Sequence, residues 1–139
     1  MILLTDDLRD LLLANCRQRD VDHVPVDKFF NPLGAGIWLA TELDADNDTL
    51  FGLADLGFGC PELGIFSLSE LTSVRLPFGM GIERDILFEA AFPLSIYAEA
   101  ARQAGSIWCR NWRRRGRCCV GGRNQVRASY RQLSGQSGG

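Results

Sequence analysis

Carboxylates are the residues in this chain best placed to do chemistry. Glu42, Asp55, Glu83 and Asp85 each stand in a run of strand-forming residues. Drawn together, four such groups would hold the divalent ions with which nucleases stabilise attacking and leaving oxygens. Nothing in their spacing forces convergence, so carboxylates displayed on the outside of a sheet are the preferred reading. No catalytic residue, metal site or cofactor is therefore expected. Asp44, Asp46 and Asp48 alternate, a faint echo of a calcium loop. Thr49 stands where that loop needs glycine, so a solvated hairpin turn is expected instead. His23, the single histidine, reads as a hydrogen-bonded surface group. Cys60 would need an imidazole beside it to act as a nucleophile, and only His23 could supply one. Arg84 shares a strand face with Ile82 and Ile86. It reads as a partly buried cation paired with a carboxylate such as Glu42 or Glu70.

Charge divides the chain in two. Residues 1–104 carry all 17 acidic residues and seven of the 15 basic ones, a balance of −10; residues 105–139 carry eight arginines and no acid. The first part reads as a folded domain whose acidity suits a partner protein with a basic surface. The second reads as a basic tail, disordered or an atypical extension. Its Arg110, Arg113, Arg114, Arg115 and Arg117 with Trp108 and Trp112 offer charge for phosphates and rings for base stacking. A tail that adheres to polyanions without specificity is the plainer reading. Cys109, Cys118 and Cys119 lack a fourth ligand for zinc. An odd count of five cysteines without framework spacing points to a reduced, cytoplasmic setting. The first residues carry acids and no basic leader, and no apolar run reaches the ~18–20 residues of a spanning helix. No membrane partner is expected, and nothing sets the oligomeric state.

The elements that would position these groups centre on a hairpin. Gly36–Leu43 and Thr49–Leu56 are runs rich in strand formers, joined by the turn residues Asp44–Asp48. A five-residue loop pairs Leu43 with Thr49 and Trp38 with Ala54. Before it, Thr5 caps an amphipathic helix over residues 6–17, with Leu8, Leu11 and Leu12 on one side. Val24 to Phe30 suggests a strand. After the hairpin, Leu63–Phe66 reads as a strand and Ser67-Leu68-Ser69-Glu70 as a capping box for a short helix. Val74–Leu76 and Ile82–Phe88 read as further strands, and Pro93 opens a closing helix to about Ala104. Hairpins without βαβ alternation give an α+β fold. Its single antiparallel sheet is built on the central hairpin, with helices near both ends of the domain and one short helix mid-chain.

Four stretches also resemble a known family: Lys28-Phe29-Phe30-Asn31-Pro32 leading to Gly36-Ile37-Trp38-Leu39-Ala40-Thr41-Glu42; Leu50-Phe51-Gly52-Leu53-Ala54; Leu63 to Leu71; and Gly81 to Phe88. In order and spacing, residues 1–104 resemble the bacterial domain of unknown function 2958. The resemblance implies a small α+β protein of plasmids and other mobile elements, without an agreed activity. The name single-stranded DNA endonuclease circulates for some relatives. The resemblance stops at the tail, whose Arg, Gly, Cys and Trp content suits a GC-rich gene read past its usual stop.

Overall fold

The computed structural model describes residues 2–107. The chain forms α1 (Asp6–Cys16), β1 (Asp27–Phe30), β2 (Ile37–Leu43), β3 (Thr49–Asp55) and β4 (Glu62–Ser67). There follow α2 (Leu68–Ser73), a 3-10 turn (Pro77–Gly79), β5 (Glu83–Arg84) and α3 (Leu94–Ala104). The five strands make one antiparallel sheet in the order β4-β3-β2-β1-β5. The fold is therefore α+β, as the hairpin pattern predicts.

Each face of the sheet carries its own core. Trp38, Ala40, Leu43, Leu50, Ala54, Phe29 and Phe66 point to the side covered by α1 and α2, where they meet Leu12 and Leu71. Leu39 and Leu53 point the other way, against Leu94, Ala98 and Ala101 of α3 and against Ile107. Each fully buried leucine contributes about 1.5–3 kcal/mol by leaving water. Ile107, 5% exposed, belongs to this second core, so packed chain continues past Ala104.

The helix ends are set by oxygen acceptors. Thr5 Oγ1 accepts the Leu8 amide (3.3 Å) at the start of α1, where Asp6 and Asp7 complement the helix dipole. Ser67 Oγ accepts the Glu70 amide (3.3 Å) at α2. The partner that completes this cap is Asp48, from the hairpin loop. Its Oδ1 accepts the Ser69 amide and its Oδ2 the Ser67 hydroxyl, each at 2.7 Å. Pro93 precedes α3 instead of opening it, and Asp22 supplies the cap by accepting from both the amide and the hydroxyl of Ser95.

The hairpin register carries one surprise. Trp38 faces Ala54, as a five-residue loop predicts, but Leu43 faces Leu50, not Thr49. The difference is a β-bulge: Thr41 is the extra residue between Ala40 and Glu42. Its carbonyl accepts Asn15 Nδ2 from α1 (3.0 Å), and its hydroxyl donates to the Phe51 carbonyl (3.3 Å). The bulge keeps both Ala40 and Leu43 under α1 and turns Glu42 to the opposite face. Three predicted strands shrink or vanish, the first of them Val24–Phe30, which is reduced to Asp27–Phe30. Val74–Leu76 is extended but unpaired, and Ile82–Phe88 is reduced to Glu83–Arg84. Asp85 ends that strand: its Oδ1 accepts the Leu87 amide (3.1 Å) and its carbonyl the Phe88 amide (3.2 Å), closing a turn. Ile86 and Leu87 consequently project into solvent.

Candidate functional site

The structure distributes the four sequence-selected carboxylates over three places. Glu42 lies near the hairpin end of β2. Asp55 closes β3 at the opposite end of that ladder, facing Ile37. Glu83 and Asp85 sit beside β1, where Glu83 faces Phe30 and Asp85 pairs with Lys28 Nζ at 3.2 Å. Among the described residues, no three His, Cys, Asp or Glu side chains come together as a metal site. Asp55 is buried and both its oxygens are engaged: Oδ1 accepts the Gly57 amide and Oδ2 the Ile107 amide, each at 2.9 Å. That is the geometry of a clasp holding the end of the second core. In the hairpin loop, Asp46 accepts the Asp48 and Thr49 amides (both 2.8 Å) and the Thr49 hydroxyl (2.6 Å). These bonds hold its carboxyl below the usual range, the Thr49 hydroxyl foremost; Asp48 is lowered likewise, chiefly by Ser67. The triad of aspartates thus makes the turn and caps α2. His23 Nε2 lies 2.7 Å from the Gln18 carbonyl, a surface hydrogen bond. The tail residues Trp108, Arg110, Trp112, Arg113, Arg114, Arg115 and Arg117 lie outside the described residues.

Sequence reasoning missed Asp27. It is 3% exposed on the β1 face that also buries Phe29. Its Oδ1 accepts the Lys28 amide (2.9 Å), while Oδ2 has no hydrogen-bond partner among the described residues. Burial pushes its carboxyl up to about 7; the Lys28 amide and the Arg84 charge pull the other way, and Asp85 adds to the rise. The Arg84 charge thus acts on Asp27, one strand in from its own edge, while Glu42 lies near the hairpin end of β2 and Glu70 in α2. The only sequence signal for Asp27 is its alternation with Phe29, which puts an acid on the buried face.

A pH effect follows. The unfolded Asp27 ionises near 3.8, the folded one near 7. Between those values the folded chain holds the extra proton, so this residue's contribution is complete below about 4 and is lost as pH rises through 7. Asp27→Asn keeps the acceptor for Lys28 and removes the ionisation. Urea unfolding should show the variant similar to wild type near pH 4 and more stable by about 2–4 kcal/mol at pH 8. A wild type equally stable at both values would contradict this.

An open surface lies on the α3 side of the sheet. Glu42, Phe51 and Ile65 are register partners across β2, β3 and β4, and form one row. Helix α3 covers the adjacent Leu39–Leu53 row but leaves Ile65 53% and Leu63 38% exposed. Beyond Ile65 runs a cleft of about 310 Å³ lined by Cys16, Arg19, Glu42, Asp44, Phe51 and Ile65. A second of about 320 Å³, sharing Thr49 and Ile65, is lined by Asp48, Ser69 and Glu70. Among the described residues, four carboxylates face one cation here. Arg19 reaches Asp44 at 3.6 Å and donates to Cys16 Sγ at 3.2 Å, the thiol contact contributing most to keeping the guanidinium charged. Glu42 Oε1 is buried without a hydrogen-bond partner among the described residues. Such a surface has an apolar floor and an acidic rim, and suits a ligand that is apolar and basic.

No helix among the described residues is long and apolar enough to cross a membrane. No curated protein and no solved structure matches the chain. A family model does, over residues 3–108, which takes in every element of the sheet, all three helices and the Ile107 clasp. On that match the chain belongs to the protein family of unknown function DUF2958.

Proposed function

We propose that this domain is a non-catalytic binding protein whose partner is another protein with a basic surface. The observation that carries the reading is the Glu42–Phe51–Ile65 row, left open beside α3 with Ile65 53% exposed in a domain whose balance is −10. Exposed apolar surface rimmed by polar and mainly acidic groups suits contact with a protein of complementary charge. The separation of Glu42, Asp55 and the Glu83/Asp85 pair adds support, since they share no centre for two-metal chemistry. In its specific form, on a mobile element, the acidic body inhibits a host enzyme that handles nucleic acid by occupying its phosphate-binding groove.

The competing activity is metal-dependent cleavage of single-stranded DNA. Purified full-length protein incubated with single-stranded DNA and Mg²⁺ or Mn²⁺ should leave the DNA intact. Cleavage that stops with chelator and in a Glu83→Ala/Asp85→Ala double variant would overturn the binding reading. DNA binding with a steep salt dependence, abolished by removing residues 108–139, would instead assign nucleic-acid contact to the tail.

A further inference from the structure

Resting on that reading, we infer that β4 is completed by an extended, basic segment of the partner protein, which adds to the sheet as a sixth strand. Three observations converge on this edge. Among the described residues β4 has β3 as its one neighbour, paired without a bulge over six positions from Thr49↔Ser67 to Ala54↔Glu62. Past Glu62 at its first position, its interior Leu63-Gly64-Ile65-Phe66 holds none of the usual guards of an edge: no charge, no proline, no kink. The opposite edge is different, because β5 is two residues long and offers little to pair with. The protection is thus applied to one edge and withheld from the other.

Strand addition uses main-chain hydrogen bonds for affinity and alternate side chains for specificity. On β4 the alternate positions Leu63 and Ile65 present apolar surface to the α3 side. An incoming strand would set every second side chain beside them. The adjoining clefts then select the chemistry of those side chains. Glu42, Asp44, Asp48 and Glu70 outnumber Arg19, and Phe51 and Ile65 form the wall. A lysine or arginine stem lies along that wall with its charge toward Glu42, whose inner oxygen has no hydrogen-bond partner among the described residues. An acidic strand would meet like charge there. The occupant is therefore a segment alternating apolar and basic residues, not an acidic one.

The test uses the full chain and two synthetic peptides, one alternating lysine with valine, the other glutamate with valine. Amide hydrogen exchange is followed by NMR at the β4 residues, within 62–67, whose N–H groups point away from β3. The lysine peptide should slow exchange across β4 by about tenfold or more, and the glutamate peptide should leave it unchanged. Ile65→Lys should weaken lysine-peptide binding by about tenfold, and Glu42→Gln by a smaller factor; both substitutions fall outside the two cores, so thermal unfolding should match wild type. Equal protection by both peptides would overturn the basic occupant, and protection by neither would overturn strand addition. So would slow exchange of those outward amides in the protein alone: concentration-dependent slowing would name a second copy as the occupant, and concentration-independent slowing another part of the chain. If Ile65→Lys still captures a basic partner and β4 stays unprotected, strand addition fails while the protein-binding reading stands.

Discussion

Gly52→Ala should leave little folded protein at 25 °C. A methyl group on Gly52 would lie 1.7 Å from the Leu39 carbonyl oxygen and 2.8 Å from its carbon. Both are backbone atoms of the neighbouring central strand, so no rotamer change relieves the clash. Gly52 faces Ala40 immediately before the Thr41 bulge, where β2 bends toward β3. Relief would require β2 and β3 to separate, and both cores rest on that pair. The expected loss is about 4 kcal/mol or more, comparable to the whole stability of a small domain. Circular dichroism and size exclusion would show it directly. A Gly52→Ala protein with a wild-type melting temperature would mean that the two strands do not approach as described.

Trp38→Ala should be the next most damaging change, at about 3–5 kcal/mol. The indole is 1% exposed in the α1-side core, and Gly36 lies so close above it that a methyl there would sit 3.0 Å from the ring. The neighbours are strand backbone and helix side chains, which cannot collapse into an indole-sized void. Trp38→Phe should cost far less. It keeps an aromatic ring in place, and it removes the indole N–H, which is buried without a hydrogen-bond partner among the described residues. Denaturant midpoints of the two variants, read at constant slope, would separate the cavity from the polar group. A phenylalanine variant as unstable as the alanine one would show that the N–H is satisfied after all.

How far the sequence reveals this molecule depends on the range of the forces involved. The α1 helix, the hairpin, the strand at Leu63–Phe66 and the Ser67 cap are written in local periodicity and turn chemistry, and each can be read residue by residue. The bulge is not. Apolar alternation from Trp38 to Leu43 leaves its parity open, and the choice falls to Asn15, a helix residue 26 positions earlier that binds the Thr41 carbonyl. The overlong reading of Ile82–Phe88 fails for a related reason. Its alternation is genuine, but the Asp85 side chain offers the backbone a turn in place of a ladder. Asp27 escaped notice because burial of a lone acid depends on what packs above it, which a four-residue strand does not record. The open row at Glu42, Phe51 and Ile65 was hidden by the same bulge, since only the inserted residue brings Glu42 onto that face.

Consider, finally, the order in which the two cores come into being on the ribosome. Every member of the α1-side cluster has been synthesised once Ile82 emerges, so that half can condense while the remainder is still being made. The other half must wait. Leu94, Ala98, Ala101 and Ile107 arrive last, and the acceptors that fix them, Asp22 and Asp55, are already in place on finished structure. Until then Leu39 and Leu53 stand bare on the nascent sheet. During that interval the chain is most exposed to misassociation, and closure of α3 over it is the event that ends the hazard.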